Sequence, residues 1–180
     1  MRRTPNGKEA GGGGYAVTKE RYEKMTAPLR SRPHAVKALK GMNRALTVLC
    51  YVLYPLLLLW LYSVQDERFW RCLLVPAVTF AALSVFRAVY NAPRPYEQGI
   101  DSLMKKNTAG HSFPSRHVFS AFMIAVTWYA VYPGVGIALL TVGALLAAIR
   151  VVGGVHYPRD VIAGAAVGIA AGLIGYWLIP

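Results

Sequence analysis

Three short islands hold most of the side chains in this chain that could do chemistry. The first is Arg87 with Arg94 two helical turns on, and Pro95 directly after it. The second is the run Gly110-His111-Ser112-Phe113-Pro114-Ser115-Arg116-His117. The third is Arg150, then His156, then Asp160 four residues further. Arginine forks are suited to bidentate capture of phosphate oxygens. A histidine paired with an aspartate is an oriented nucleophile or base, and a second histidine can deliver a proton. Ser115 has the residue type of a helix N-cap, so the N–H groups and dipole of the helix after it would favour an anion there. These are the parts of a phosphoryl-transfer site without a metal, and no Cys/His cluster has zinc-ligand spacing.

Apolar runs border every island. They cover 45–64, 69–90, 117–132, 135–152 and 160–179, most of them near the ~20 residues that a spanning helix needs. The third is the shortest. Pro55 and Pro76 fall inside runs, which membrane helices tolerate. Pro93 and Pro95 close the second run around Arg94, and Pro158 is suited to the first turn of the fifth. Five spans place all three islands on one membrane side, because the second ends at the first island, the third begins at the second, and the fourth-to-fifth loop is the third. Ionisable groups at helix ends in such a protein are costly and point to function. Gly164, Gly168 and Gly172 recur every four residues, with Asp160 one turn earlier on the same stripe. Small residues at that spacing let helix backbones approach closely. The fifth span should therefore pack tightly on a neighbour and present Asp160 at its mouth.

The fold class expected is all-α, a multi-pass transmembrane bundle of about five spans with its active site at one membrane face. A chain of 180 residues with 55% hydrophobic and 16% charged residues is neither a disordered tail nor a disulfide-rich module. The net charge of +12 is of the sign that suits nucleic acid as a partner, but its location argues otherwise. Residues 1–44 carry eleven Lys/Arg against three Glu, and the other 136 carry nine against five Asp/Glu. The basicity is a leader ahead of a hydrophobic body, so the expected partners are membrane lipids and a lipid substrate. Two regions follow: a basic N-terminal segment, 1–44, and a membrane-embedded domain, 45–180. Residues 1–14, with four consecutive glycines, should be flexible. In 15–44, Pro28 and Pro33 leave room for two short helices at most, lying on anionic lipid. The charged stretch is too long for a cleavable signal peptide. Cys50 and Cys72 sit in apolar runs and read as buried small residues.

On these islands the sequence resembles the type 2 phosphatidic acid phosphatase superfamily, the lipid phosphate phosphatases. That family has three ordered motifs: Lys-x6-Arg-Pro, Pro-Ser-Gly-His and Ser-Arg-x5-His-x3-Asp. Here they read Arg87-x6-Arg94-Pro95, Pro114-Ser115-Arg116-His117 and Ile149-Arg150-x5-His156-x3-Asp160. The resemblance implies that His156 is a nucleophile forming a phosphohistidine, that Asp160 orients it, and that His117 protonates the leaving oxygen. It also implies that Arg87, Arg94, Ser115, Arg116 and Arg150 hold the phosphate, with no metal and no cofactor. Phosphatidate, phosphatidylglycerol phosphate and polyprenyl diphosphate are the substrates implied. Arg87 keeps the charge of the family's Lys, and Ile149 removes one peripheral hydroxyl. Arg116 is the larger departure, since glycine at that position allows close backbone approach.

Other polar residues have plainer readings. Arg71 near a span end snorkels to headgroups, Lys105 and Lys106 form a solvated pair, and His34 and His111 have structural or solvent roles. Tyr96 and Glu97 shape the mouth. A non-hydrolytic transporter or lipid-binding protein with an arginine-lined anion site is the alternative, although binding alone requires neither nucleophile nor acid. Five apolar spans argue against a soluble haloperoxidase. Loop charge sets topology, and eleven basic residues before the first span predict a cytoplasmic N-terminus. The protein is then a multi-pass protein of the cell membrane with its active site on the cytoplasmic side, although members of the resembled family usually have six spans and face the other way.

Overall fold

The computed structural model describes residues 19–104 and 108–178. The glycine-rich start and Lys105 and Lys106 lie outside them. The described residues form six helices and no strand: α1 (Lys19–Arg30), α2 (Pro33–Ser63), α3 (Phe69–Tyr90), α4 (Arg116–Val131), α5 (Pro133–Val152) and α6 (Pro158–Leu173). A 3₁₀ turn, Pro95–Gln98, follows α3, and a π-helical turn, Ile174–Leu178, extends α6. The chain is an all-α, multi-pass membrane bundle.

The helices that begin at Pro33, Phe69, Pro133 and Pro158 are long and apolar enough to cross a membrane. At 16 residues, α4 is shorter, about 24 Å at 1.5 Å per residue. It is also apolar all round, the mark of a helix enclosed by protein. Val118, Phe119, Ala121, Met123 and Ala125 are all buried, and α2, α3, α5 and α6 pack around it. The outer faces of the surrounding helices expose Leu59, Val78, Val89 and Ile162, which suit lipid.

Between helices in lipid the hydrophobic effect supplies little, so close packing holds them together. The α6 stripe does this against α4. A Cβ on Gly164 would stand 2.6 Å from the Ser115 carbonyl oxygen, and one on Gly168 would stand 2.8 Å from that of Phe119. The Asp160 carbonyl accepts from the Ser115 N–H at 2.8 Å, one turn further up. Cys50 packs with Ile124, Leu139 and Leu146, and Cys72 with Leu57, Leu61 and Tyr176. Both are free thiols used as small apolar residues.

Pro28 and Pro33 act differently from the two short helices expected. Pro28 lies inside α1, and Pro33 starts a 31-residue helix that runs unbroken past Arg44. Proline at the first helical position loses no hydrogen bond and brings a preset φ. At 12 residues, α1 is too short to span. It is fastened to the site end of the bundle instead: the buried Tyr22 hydroxyl donates to the Val152 carbonyl at 2.9 Å, and Arg30 pairs with Asp101 at 2.5 Å.

Candidate active site

The three islands meet at one end of the bundle. Asn91, with φ 41°, caps α3 in the left-handed region and donates its N–H to the Arg87 carbonyl. The polar loop then runs across the mouth and enters α4 through Ser115. Gly110, at φ +63°, is needed there, because a Cβ would strike the Asn91 side chain.

His156 and Asp160 are 2% and 0% exposed. Nδ1 of His156 lies 3.6 Å from Asp160 Oδ2, too far for a direct hydrogen bond. Ser112 closes the gap: its Oγ is 3.3 Å from His156 Nδ1 and donates to Asp160 Oδ2 at 2.5 Å. A proton on Nδ1 directed at Ser112 leaves the Nε2 of the neutral imidazole with a free lone pair. Burial is the main force holding that ring neutral. It pushes the His156 pKa down to about 4, helped by the nearby charges of Arg150 and Arg94 and opposed by Asp160. The Tyr157 N–H also donates to Asp160 Oδ2, at 3.0 Å.

Among the arginines the roles divide. The Arg87 guanidinium is buried and donates to the carbonyls of His111, Ser112 and Pro114, so it shapes the loop that carries Ser112 and Ser115. Arg94 Nε donates to the Gly110 carbonyl at 2.9 Å, and its Nη1 is buried without a partner among the described residues. Glu97 braces the same loop by accepting from the N–H groups of Arg94 (2.7 Å) and Gly110 (2.8 Å), bonds that lower its carboxyl pKa. Arg150 is 1% exposed. Its Nη2 lies 3.0 Å from His117 Nδ1, its Nη1 lies 3.4 Å from Asn43 Oδ1, and its Nε is unpartnered. With Nδ1 accepting from Arg150, a neutral His117 ring carries its proton on Nε2.

Two side chains add detail to these expectations. Ser115 occupies the N-cap position of α4, but its Oγ makes no capping bond; it is fully buried and unpartnered. Arg116 is exposed, with its Cζ 5.7 Å from the Phe80 ring centroid, and its charge still acts on the buried Arg87. A residue on the first turn of α4 points outward once Ser115 and Phe119 face α6. Ser112 is the participant that residue type alone did not single out, and its only sequence signal is its place in the second island. Of the five buried side-chain polar atoms without a hydrogen-bond partner among the described residues, four belong here: those of Arg94, Ser115, Arg150 and Asp160, the last with Arg159 Nε 3.6 Å away. Buried polar groups are ordinarily satisfied, so such a concentration marks a site built for a ligand. Among the described residues no group of three or more His, Cys, Asp or Glu could hold a metal ion.

Comparison with known proteins agrees with this arrangement. The family model described as the PAP2 superfamily matches residues 68–180. The lipid A 1-phosphatase of Porphyromonas gingivalis is 38% identical over 80 residues, 42% of this chain and 18% of that protein. The bacitracin transport permease protein BcrC of Bacillus licheniformis is 34% identical over 70 residues, 39% of this chain and 34% of that protein. The chain thus spans about a third or less of the length of these curated relatives. The crystal structure of Aquifex aeolicus LpxE superposes with a TM-score of 0.66 at 25% identity, covering 89% of this chain and 95% of that one. The first transmembrane PAP2 type phosphatidylglycerolphosphate phosphatase from Bacillus subtilis superposes with a TM-score of 0.63 at 19% identity, covering 87% and 83%, and shares the fold.

Proposed function

This chain belongs to the PAP2 superfamily, and from that premise we propose that it is an integral-membrane phosphatase acting on a lipid phosphate or diphosphate through a phosphohistidine. The observation that carries this reading is the buried His156–Ser112–Asp160 chain beside the unpartnered groups of Arg94, Arg150 and Ser115. An anion-binding membrane protein without chemistry would have no use for that chain. Catalysis of phosphoryl transfer rests on positioning and on stabilising charge over the equatorial oxygens, and these groups supply both.

The reaction has two steps. The Nε2 lone pair of His156 attacks phosphorus while the bond to the leaving oxygen breaks, and that oxygen takes the Nε2 proton of His117 in its imidazolium form, which leaves a neutral ring able to act as base in the second step. Asp160, through Ser112, stabilises the positive charge that develops on the ring. Water, deprotonated by His117, then attacks the phosphohistidine and releases orthophosphate. Arg94, Arg150 and Ser115 hold the transferred phosphate, and Arg87 fixes the loop and adds its charge. The histidine nucleophile and arginine charges make a metal unnecessary in this scheme. The test is phosphate release by detergent-purified protein from a lipid phosphate panel, with and without chelator. Release that survives chelation, with acid-labile phosphate trapped on wild-type protein and absent from His156→Ala, is expected; full activity in His156→Ala protein would falsify the mechanism.

The basic N-terminal segment preceding 45–180 is read as cytoplasmic and partly interfacial, which puts the mouth on the cytoplasmic side. Cysteines placed at the exposed Gln98 and Ser63 report on this. Labelling of Gln98→Cys but not Ser63→Cys by an impermeant reagent in intact cells would reverse the orientation.

A further inference from the structure

A cleft of about 450 Å³ opens between α2, α3 and α4, lined by Tyr51, Tyr54, Pro76, Phe80, Phe119 and Met123 among others. Two consecutive residues of α4 border it at the site end. The His117 ring stacks on Tyr51 with centroids 6.4 Å apart, and the Arg116 guanidinium sits over Phe80. The proton donor must lie beside the leaving oxygen, so whatever that oxygen carries lies on the His117 side. The apolar cleft is the room for a hydrocarbon there. A leaving group that runs from His117 into the cleft passes Arg116, a cation with no hydrogen bond or ion pair among the described residues. Arg94 and Arg150, by contrast, are buried with the nucleophile. A hydrocarbon tail alone gives such a cation nothing to pair with, whereas a leaving group that is itself a phosphate does.

We propose that Arg116 is a specificity-determining residue that pairs with a second phosphate on the leaving-group side, so that lipids bearing two phosphates are preferred to those bearing one. This rests on the phosphatase reading of the site. For a lipid diphosphate, His156 attacks the terminal phosphorus, and the bond from that phosphorus to the bridging oxygen breaks. The bridging oxygen takes the His117 proton and departs as a lipid monophosphate paired with Arg116. A phosphodiester one glycerol further along presents the same charge at greater distance.

The experiment measures kcat/KM of the purified full chain for farnesyl diphosphate, farnesyl monophosphate, phosphatidylglycerol phosphate and phosphatidate. Wild type, Arg116→Gln and Arg116→Lys are compared. A charge-assisted contact predicts a loss of about 10- to 100-fold on the two-phosphate substrates in Arg116→Gln, at least tenfold greater than the loss on their one-phosphate partners. Partial rescue is expected in Arg116→Lys. A larger loss for farnesyl diphosphate assigns the adjacent phosphate, and a larger loss for phosphatidylglycerol phosphate assigns the spaced one. Equal losses on all four substrates overturn the proposal by placing Arg116 on the transferred phosphate, and unchanged kinetics on all four overturn it too. Phosphate release from none of the four by folded wild-type protein overturns the phosphatase reading itself.

Discussion

Arginines stand at both ends of the bundle, and their surroundings differ. At the end away from the site, Arg68 pairs with Asp66 in the α2–α3 loop (2.7 Å) in contact with water, and its hydrogen bonds hold the Asp66 carboxyl down to about 2. Arg71 reaches the Tyr176 carbonyl at 3.5 Å. At the site end, Arg87, Arg94 and Arg150 are buried, bonded to carbonyls, a histidine and an amide, and none makes an ion pair with a carboxylate among the described residues. A hydrated, paired arginine costs the fold little. Buried cations without counter-charge oppose folding, and they make sense where an anion neutralises them. The same residue type is surface chemistry at one end and, in the proposed function, a binding device at the other.

The sharpest way to break this comparison is at the proposed nucleophile. His156→Ala should lower kcat by on the order of 10⁴-fold or more, as loss of a catalytic nucleophile does elsewhere. Phosphate release from protein of unchanged circular dichroism checks this. Arg150→Met should come next, with kcat/KM falling about 10- to 100-fold for a lost charge-assisted contact. Thermal unfolding of the ligand-free protein should hold or rise, since a buried like charge is gone. A lowered melting temperature with normal kinetics would make Arg150 a structural residue instead. Ser112→Ala should cost roughly 10-fold in kcat, the scale of one net hydrogen bond, with KM little changed.

A pH profile sharpens the same contrast. The proposed attack requires neutral His156, whose folded pKa is pushed below its ordinary value. The acidic limb of kcat/KM should therefore fall well under the ~6.5 of a free imidazole. The unfolded chain takes up that proton first, so the stability contribution is fully present above the unfolded pKa and is lost as pH falls through about 4. Melting temperatures measured against pH for wild type and His156→Gln test this, because the variant should lack that component of the acid loss. The smallest effect belongs to the far end: Asp66→Asn should leave both phosphate release and thermal unfolding at wild-type values.

Much of this molecule is legible in the chain. Lipid forces the backbone into helices and drives charge to their ends, so apolar runs and polar islands alone fix an all-α membrane bundle with Arg87, Arg94, Ser115, Arg150, His156 and Asp160 at one mouth. The four-residue glycine spacing likewise announces the close α4–α6 contact, because helix periodicity puts those positions on one face. Tertiary structure decided the rest. Ser112 stands between His156 and Asp160 although it lies 44 and 48 residues from them. The Arg87 donors go to loop carbonyls, and the exposed Arg116 lies over the Phe80 ring. The rotation of each helix about its axis and the competition of nearby acceptors for a guanidinium set these outcomes. Neither is written in the spacing of residues along one segment.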